Sequence, residues 1–273
     1  MTSLEANHIH FSYDDKLILD DLTVTIPKGK ITVFIGGNGC GKSTLLRTMA
    51  RLLKPEKGSI LLDGEDISTR KSKDIAKKMS ILPQGPTTPE GLTVEQLVKQ
   101  GRYPHQSIMK QWSLEDEKMV VKALRDTGMT EYASAAVDEL SGGQRQRAWI
   151  AMTLAQGSDT LLLDEPTTYL DMSHQIDVLD LLYDLNEKEQ RTVVMVLHDM
   201  NLACRYAHHL VAMQNKTIYD AGTPADIMTK KMVLDVFSME CMVTNDPIFD
   251  LPMVIPYGKG RMSHESSFIS EAK

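Results

Sequence analysis

Residues 34–44 read FIGGNGCGKST: two apolar residues, a run of glycines, then a lysine and two hydroxyl side chains. Gly36–Ser43 fits the spacing G-x-x-x-x-G-K-[ST]. Glycines let the backbone curl until successive N–H groups face one anion. A helix that starts there adds its positive end. In such a loop Lys42 reaches the β- and γ-phosphates of a nucleotide and Ser43 ligates Mg2+. A chance glycine-rich turn would match the letters but not the setting. KITVFIG, just before, is a short apolar run suited to a buried strand. KSTLLRTMARLL, just after, has helical periodicity that should end where Pro55 and Gly58 interrupt it. Gly36, Gly37, Asn38, Gly39, Cys40, Gly41, Lys42, Ser43 and Thr44 are therefore the candidate phosphate contacts. Cys40 has two readings: a thiol made reactive by the helix start beside it, or a small buried side chain.

Further along, LEANHIHFSY and LILDDLTVTIPKGK predict antiparallel strands. SILLDGEDI predicts two strand pieces about an Asp63-Gly64 turn. TLLLDEP and RTVVMVLHD are apolar runs fit for a buried parallel sheet. Strands alternating with helices imply an α/β core. Residues 85–158 read instead as a mainly helical insertion. Thr93-x-x-Gln96 is a capping-box pattern, and SLEDEKMVVKALRDTGM is amphipathic. The stretch beyond residue 240 is weakly patterned, and no element is predicted for it.

Carboxylates and a histidine end the predicted strands. Asp164 and Glu165 follow TLLL; the first can meet Mg2+ beside a phosphate loop, and the second can polarise an attacking water. His198 ends VVMVLH and Gln84 ends SILPQ. Each alone is an ordinary strand-end residue, but beside a phosphate loop all four become candidate γ-phosphate and metal contacts. A second anion cradle sits about a hundred residues later, in LSGGQ, Leu140–Gln144. Ser141 and the amides of Gly142 and Gly143 lie at a predicted helix start, where an anion is favoured.

Composition narrows the classes. The 273 residues carry a net charge of −7, with 42% hydrophobic and 25% charged residues. That is an ordinary globular mix without the basic footprint of a nucleic-acid binder. No apolar run approaches a membrane span, and the N-terminus lacks signal-peptide character. The three cysteines read as free thiols. The 17 methionines read as core filling, not metal ligands.

Taken together, these motifs resemble the ATP-binding subunit of an ABC transporter, over about residues 4–240. Lys42 and Ser43 match its Walker A motif, Asp164 and Glu165 its Walker B, Gln84 its Q-loop, His198 its H-loop, Asp171 its D-loop and LSGGQ its signature. Tyr13 matches the aromatic residue that stacks on adenine. The resemblance implies a P-loop NTPase (RecA-like) core over 1–84 and 159–240, with an antiparallel β subdomain. It implies an α-helical subdomain over 85–158 and a C-terminal extension over 241–273. It also implies ATP and Mg2+ as ligands, with Ser43, Gln84 and Asp164 around the metal. The expected partners are a second copy docked head to tail, a transmembrane permease and, indirectly, a substrate-binding protein. The expected location is the cytoplasmic face of the cell membrane. LTVEQLVKQGRYPHQS, DEPTTYLDMSHQIDVLDLL and DPIFDLPMVIP resemble the branch that imports ferric siderophores, with haem and cobalamin importers nearby. GRYPHQ is expected to face the permease. A non-transport ABC ATPase, an exporter subunit and a non-hydrolysing regulatory module are the remaining readings; the single motif set, these segments and the intact Glu165 and His198 argue against each in turn.

Overall fold

Strand β3 (Ile31–Gly36) is buried at every position and runs straight into the glycine loop. The computed structural model describes residues 2–87, 89–106 and 112–259. Alternation along β3 decides which core each side chain joins. Ile31, Val33 and Ile35 pack with the helices on one face of the sheet, and Phe34 packs on the other.

Parallel partners flank β3. The six-stranded sheet has the order β10-β9-β3-β8-β7-β6, with β6 Met79–Leu82, β7 Thr160–Leu163, β8 Thr192–Val196, β9 His209–Gln214 and β10 Thr217–Gly222. Only β10 is antiparallel to its neighbour. β7 and β8 are fully buried, as expected of parallel strands covered on both faces.

A second sheet, order β2-β1-β4-β5, covers the Phe34 face. It contains β1 Thr2–Tyr13, β2 Lys16–Pro27, β4 Lys57–Leu62 and β5 Glu65–Asp66. All its pairings are antiparallel, and Asp63-Gly64 turns β4 into β5 as the sequence predicts. Helix α1 (Lys42–Met49) is packed between the two sheets. It is shorter than its periodicity suggests. Arg51 takes a left-handed backbone, φ 60°, and its guanidinium donates to the Arg70 carbonyl at 2.7 Å. The helix therefore ends before Pro55 is reached.

Helix α2 (Ser72–Lys78) precedes β6. The interval from 85 to 158 holds α3 (Val94–Gln100), α4 (Leu114–Asp126) and α5 (Gly142–Ala155). The Thr93–Gln96 capping box is present, and a second one joins Ser113 to Asp116. The buried faces of these helices belong to the same hydrophobic cluster as one face of the large sheet. Arg102, expected to face a partner, instead lies inside. It is buried, donates to Asp116 Oδ1 at 2.9 Å and to the Ala155 carbonyl at 2.7 Å. It joins three helical segments because its planar head carries several donors in fixed directions. Tyr103, the next residue, is 64% exposed, and Lys73 of α2 lies 4.6 Å from its ring centroid. Only part of GRYPHQ is thus available to a partner.

The C-terminal half continues with α6 (Met172–Glu189), α7 (Met200–Tyr206), α8 (Pro224–Ile227) and α9 (Lys230–Phe237). Beyond them, where no element is predicted, β11 (Cys241–Asn245) and β12 (Pro252–Pro256) form an antiparallel hairpin. Asn201 of α7 binds both backbone groups of Val254, donating to its carbonyl at 3.2 Å and accepting from its amide at 2.8 Å. Arg205 pairs with Asp246 at 2.8 Å. The rest of the extension, 260–273, lies outside the described residues.

Arg102→Ala should lower stability by about 3–5 kcal/mol, because it strands the buried Asp116. Tyr103→Ala should stay within about 0.5 kcal/mol of the parent. Urea unfolding of both variants checks that Arg102 is an internal strut and Tyr103 a surface group.

Candidate functional site

The glycine loop lies at the C-terminal end of β3. Gly36 has φ 149°, Gly39 75° and Gly41 105°, conformations that L side chains resist. At Gly36 a Cβ would also collide with the Met213 carbonyl and sit 2.9 Å from Cys40 Sγ. At Gly37 a Cβ would only touch the Val236 carbonyl at 3.5 Å, so that position tolerates other residues. Lys42 is buried and folds back over the loop, donating to the carbonyls of Gly36 at 2.8 Å and Gly37 at 3.0 Å. Its amine is thus held at the loop's centre by contacts that an anion could replace. Cys40 is half-buried, with Sγ 3.8 Å from Lys42 Nζ.

Register brings the other candidates to the same edge. Asp164 follows β7, and its amide donates to the Leu82 carbonyl at 2.9 Å, which aligns it with the end of β6 and with Gln84. Leu197 after β8 donates to the Phe34 carbonyl at 3.3 Å. His198 is therefore carried past the β3 end.

Glu165 is where these elements meet. Its carboxylate accepts from Gln84 Nε2 at 2.7 Å and from the Thr168 hydroxyl at 2.8 Å, and lies 2.8 Å from His198 Nε2. Burial pushes this carboxyl up, but the hydrogen bonds of His198, Thr168 and Gln84 together outweigh it and hold the group below its ordinary value. Glu165 also has φ 54°, a conformation that costs a non-glycine residue energy and is often kept at functional sites.

Asp164 is 1% exposed. Arg47 donates to its Oδ2 through Nε at 3.1 Å and Nη2 at 3.0 Å. Its Oδ1 is buried and has no hydrogen-bond partner among the described residues. A buried carboxylate oxygen with an empty coordination direction fits a divalent cation, since such an atom is costly to leave unmatched. Arg47 and Thr168 were not singled out in the sequence. Arg47 is four residues beyond Ser43 on α1, one helical turn away; that spacing was the available signal. Thr168 had none.

Tyr13 ends β1 and is 43% exposed, with its ring edge-to-face on Phe11 at 4.8 Å. Gly41 abuts Ile18 and Leu19 of β2, two to three residues from Lys16, which pairs with Tyr13. The aromatic ring therefore sits on a hairpin end beside the loop. The second cradle lies elsewhere. Ser141 caps α5, its hydroxyl accepting from the Gln144 amide at 3.3 Å while its own amide donates to Gln144 Oε1 at 3.0 Å. The helix itself leaves the amides of Gly142 and Gly143 unpaired. Leu140, just before the cap, is buried in the core. Asp171 caps α6, and Tyr169 and Met172 beside it are 92% and 79% exposed.

A glycine loop at the crevice of a parallel sheet, with an acidic pair on the strand two places away, defines a P-loop NTPase fold. The sequence pattern of the ABC transporter family matches residues 19–168. A probable siderophore transport system ATP-binding protein of Bacillus subtilis (strain 168), YusV, is 61% identical over 99% of this chain and 98% of its own. The petrobactin import ATP-binding protein FpuD of Bacillus anthracis is 63% identical over 95% of each chain. Among solved structures, a metal-chelate type ABC transporter in an inward-facing conformation superposes with a TM-score of 0.82, at 27% identity, over 95% of this chain and 99% of that one. The chain belongs to the ABC transporter family, as an ATP-binding, ATP-hydrolysing cassette.

The lowered Glu165 carboxyl has a consequence for pH. Stability from this cluster is fully present above the unfolded carboxylate range and is lost as pH falls through the lower folded value. Glu165→Gln should therefore flatten the acid limb of the stability–pH curve, measured by chemical denaturation between neutral pH and pH 3.

Proposed function

We propose that the chain powers uptake of ferric siderophores through a membrane permease. The observation that carries the cargo class is full-length similarity to relatives named for siderophore transport and petrobactin import. The permease is the expected partner of such a subunit; among the described residues no helix is long and apolar enough to cross a membrane. Tyr103 and Trp112, exposed on the helical segment, are the surface we assign to that contact. Residues 1–84 and 159–240 act as the nucleotide-binding core, 85–158 as the helical arm and 241–273 as an extension. The working site is the cytoplasmic face of the membrane, and cargo reaches the permease through a separate binding protein.

In this reading ATP enters at the glycine loop. The loop amides from Gly37 to Thr44 face the phosphates. Lys42 exchanges the Gly36 and Gly37 carbonyls for phosphate oxygens, and Tyr13 stacks on adenine. Ser43, Gln84 and Asp164 would hold Mg2+, which would supply charge neutralisation at the phosphates. Arg47, which pairs with Asp164 in the free protein, would have to give up that contact for Asp164 to serve as a ligand. Gln84 and His198, which hold Glu165 in the free protein, turn toward the γ-phosphate and free the carboxylate. Glu165, ionised at neutral pH, then orients and deprotonates the attacking water. Phosphoryl transfer of this kind depends on positioning and electrostatics.

One subunit holds only half of the site. Ser141, Gly142 and Asp171 are exposed, as are the neighbouring Tyr169 and Met172, and apolar groups exposed together mark a surface available for covering. A second copy docked head to tail brings Ser141 and the amides of Gly142 and Gly143 onto the γ-phosphate held by its partner's glycine loop. Hydrolysis removes that bridge. The dimer opens, and the helical arm and the Gln84 loop carry the motion to the permease.

Glu165→Gln should bind ATP, turn over at least about a hundredfold more slowly, and accumulate as an ATP-bound dimer on size-exclusion chromatography. Normal turnover would remove Glu165 from its role. Alkylation of Cys40 should block nucleotide binding, with bound ATP protecting the thiol; equal labelling with and without ATP would contradict this. For cargo, purification with the permease should give ATPase activity stimulated by a ferric-siderophore-loaded binding protein, and not by haem- or cobalamin-loaded ones.

A further inference from the structure

The two outward-facing motifs are joined inside one chain by His174. Gly143 is the second residue of α5, and it is buried. A Cβ built there would overlap the imidazole of His174, colliding with Cδ2 and lying 2.8 Å from Cγ and 3.1 Å from Nε2. The ring is held in that place from its other side. Nδ1 lies 2.7 Å from Asp171 Oδ1, and the His174 amide donates to the same oxygen at 3.0 Å. An ionised carboxylate can only accept, so Nδ1 carries the proton in this contact. Asp171 is held ionised below its ordinary value by the His174 amide, the Ser173 hydroxyl and the His174 ring. Next to this contact, a Cβ at Gly142 would touch Leu170 Cδ2 at 3.6 Å. The first turn of α5 thus rests on residues 170–174.

These contacts fix a height and a direction. The ring limits how closely the α5 start can approach residues 170–174. The Asp171 bond stops the ring from rotating away. Because Gly143 has no side chain, the helix start can settle against the ring. We propose that His174 is a positioning residue that locks the signature amides of Gly142 and Gly143 to Asp171, so that the two motifs offered to a partner copy move as one rigid piece. The requirement for glycine at 143 then comes from the chain's own histidine and not from close approach of nucleotide. This rests on the reading that a partner copy uses the signature.

A double-mutant test separates the two sources of that requirement. ATP-dependent dimerisation is measured by analytical ultracentrifugation in the Glu165→Gln background, with Gly143→Ala, His174→Asn and both together; ATP turnover is measured in the native background. Gly143→Ala should weaken dimerisation about tenfold or more, since its Cβ drives the ring off Asp171. His174→Asn, smaller but still able to donate to Asp171, should have a mild effect. The double variant should recover to the level of His174→Asn, in dimerisation and in turnover. A double variant as defective as Gly143→Ala, or a Gly143→Ala protein that dimerises normally, would overturn the assignment. Recovery in the double variant keeps the test decisive if Gly143→Ala alone folds poorly. Failure of Glu165→Gln itself to dimerise with ATP would instead sink the underlying reading of the partner copy.

Discussion

The parallel register of β3, β8, β7 and β6 is the constraint on which the site depends. It aligns Asp164 with the end of β6 and carries His198 past the end of β3. Four chain segments far apart in sequence thereby present Lys42, Gln84, Glu165 and His198 at one edge. A shift of one residue in any pairing would turn the buried faces of β7 or β8 to the wrong core. Hydrophobic burial on both faces of the sheet, with Phe34 on one side and Val33 and Ile35 on the other, makes such a shift expensive. The core is therefore what gives the chemistry its precision.

Within that edge, most charged groups of the free protein find partners in the protein itself, Asp164 Oδ1 excepted. Lys42 holds loop carbonyls, Arg47 holds Asp164, and Gln84, Thr168 and His198 hold Glu165. Buried charges need partners, and these partners are the groups that nucleotide and metal would replace. Binding is then an exchange of contacts, which limits its cost. In the proposed cycle it also keeps Glu165 engaged with Gln84 and His198 until a γ-phosphate is present.

The sequence made much of this legible because the phosphate loop, the acidic pair and LSGGQ are local patterns with local physics. Gly36 and Gly41 announce positive φ, and Thr93–Gln96 announces a helix start. Contacts made across the fold were not legible. Arg102 read as part of a segment facing a permease, yet it is an internal strut, because its partners at Asp116 and Ala155 lie 14 and 53 residues away. The hairpin over 241–256 was missed because Asn201, not its own weak alternation, holds Val254 in place. Thr168 shows no motif signal of its own although it is a local neighbour of Glu165, and His174 reaches Gly143 only in the folded chain.

The central claim is that Leu140–Gln144 acts on a nucleotide held by another copy. Mixing two inactive proteins tests it most directly. Lys42→Ala lacks a nucleotide site but keeps its signature; Ser141→Arg lacks a signature but keeps its nucleotide site. If the cradle works across the dimer, the mixture regains ATP turnover, because each mixed dimer has one intact composite site. If the cradle serves its own chain's nucleotide, the mixture stays as inactive as either protein alone.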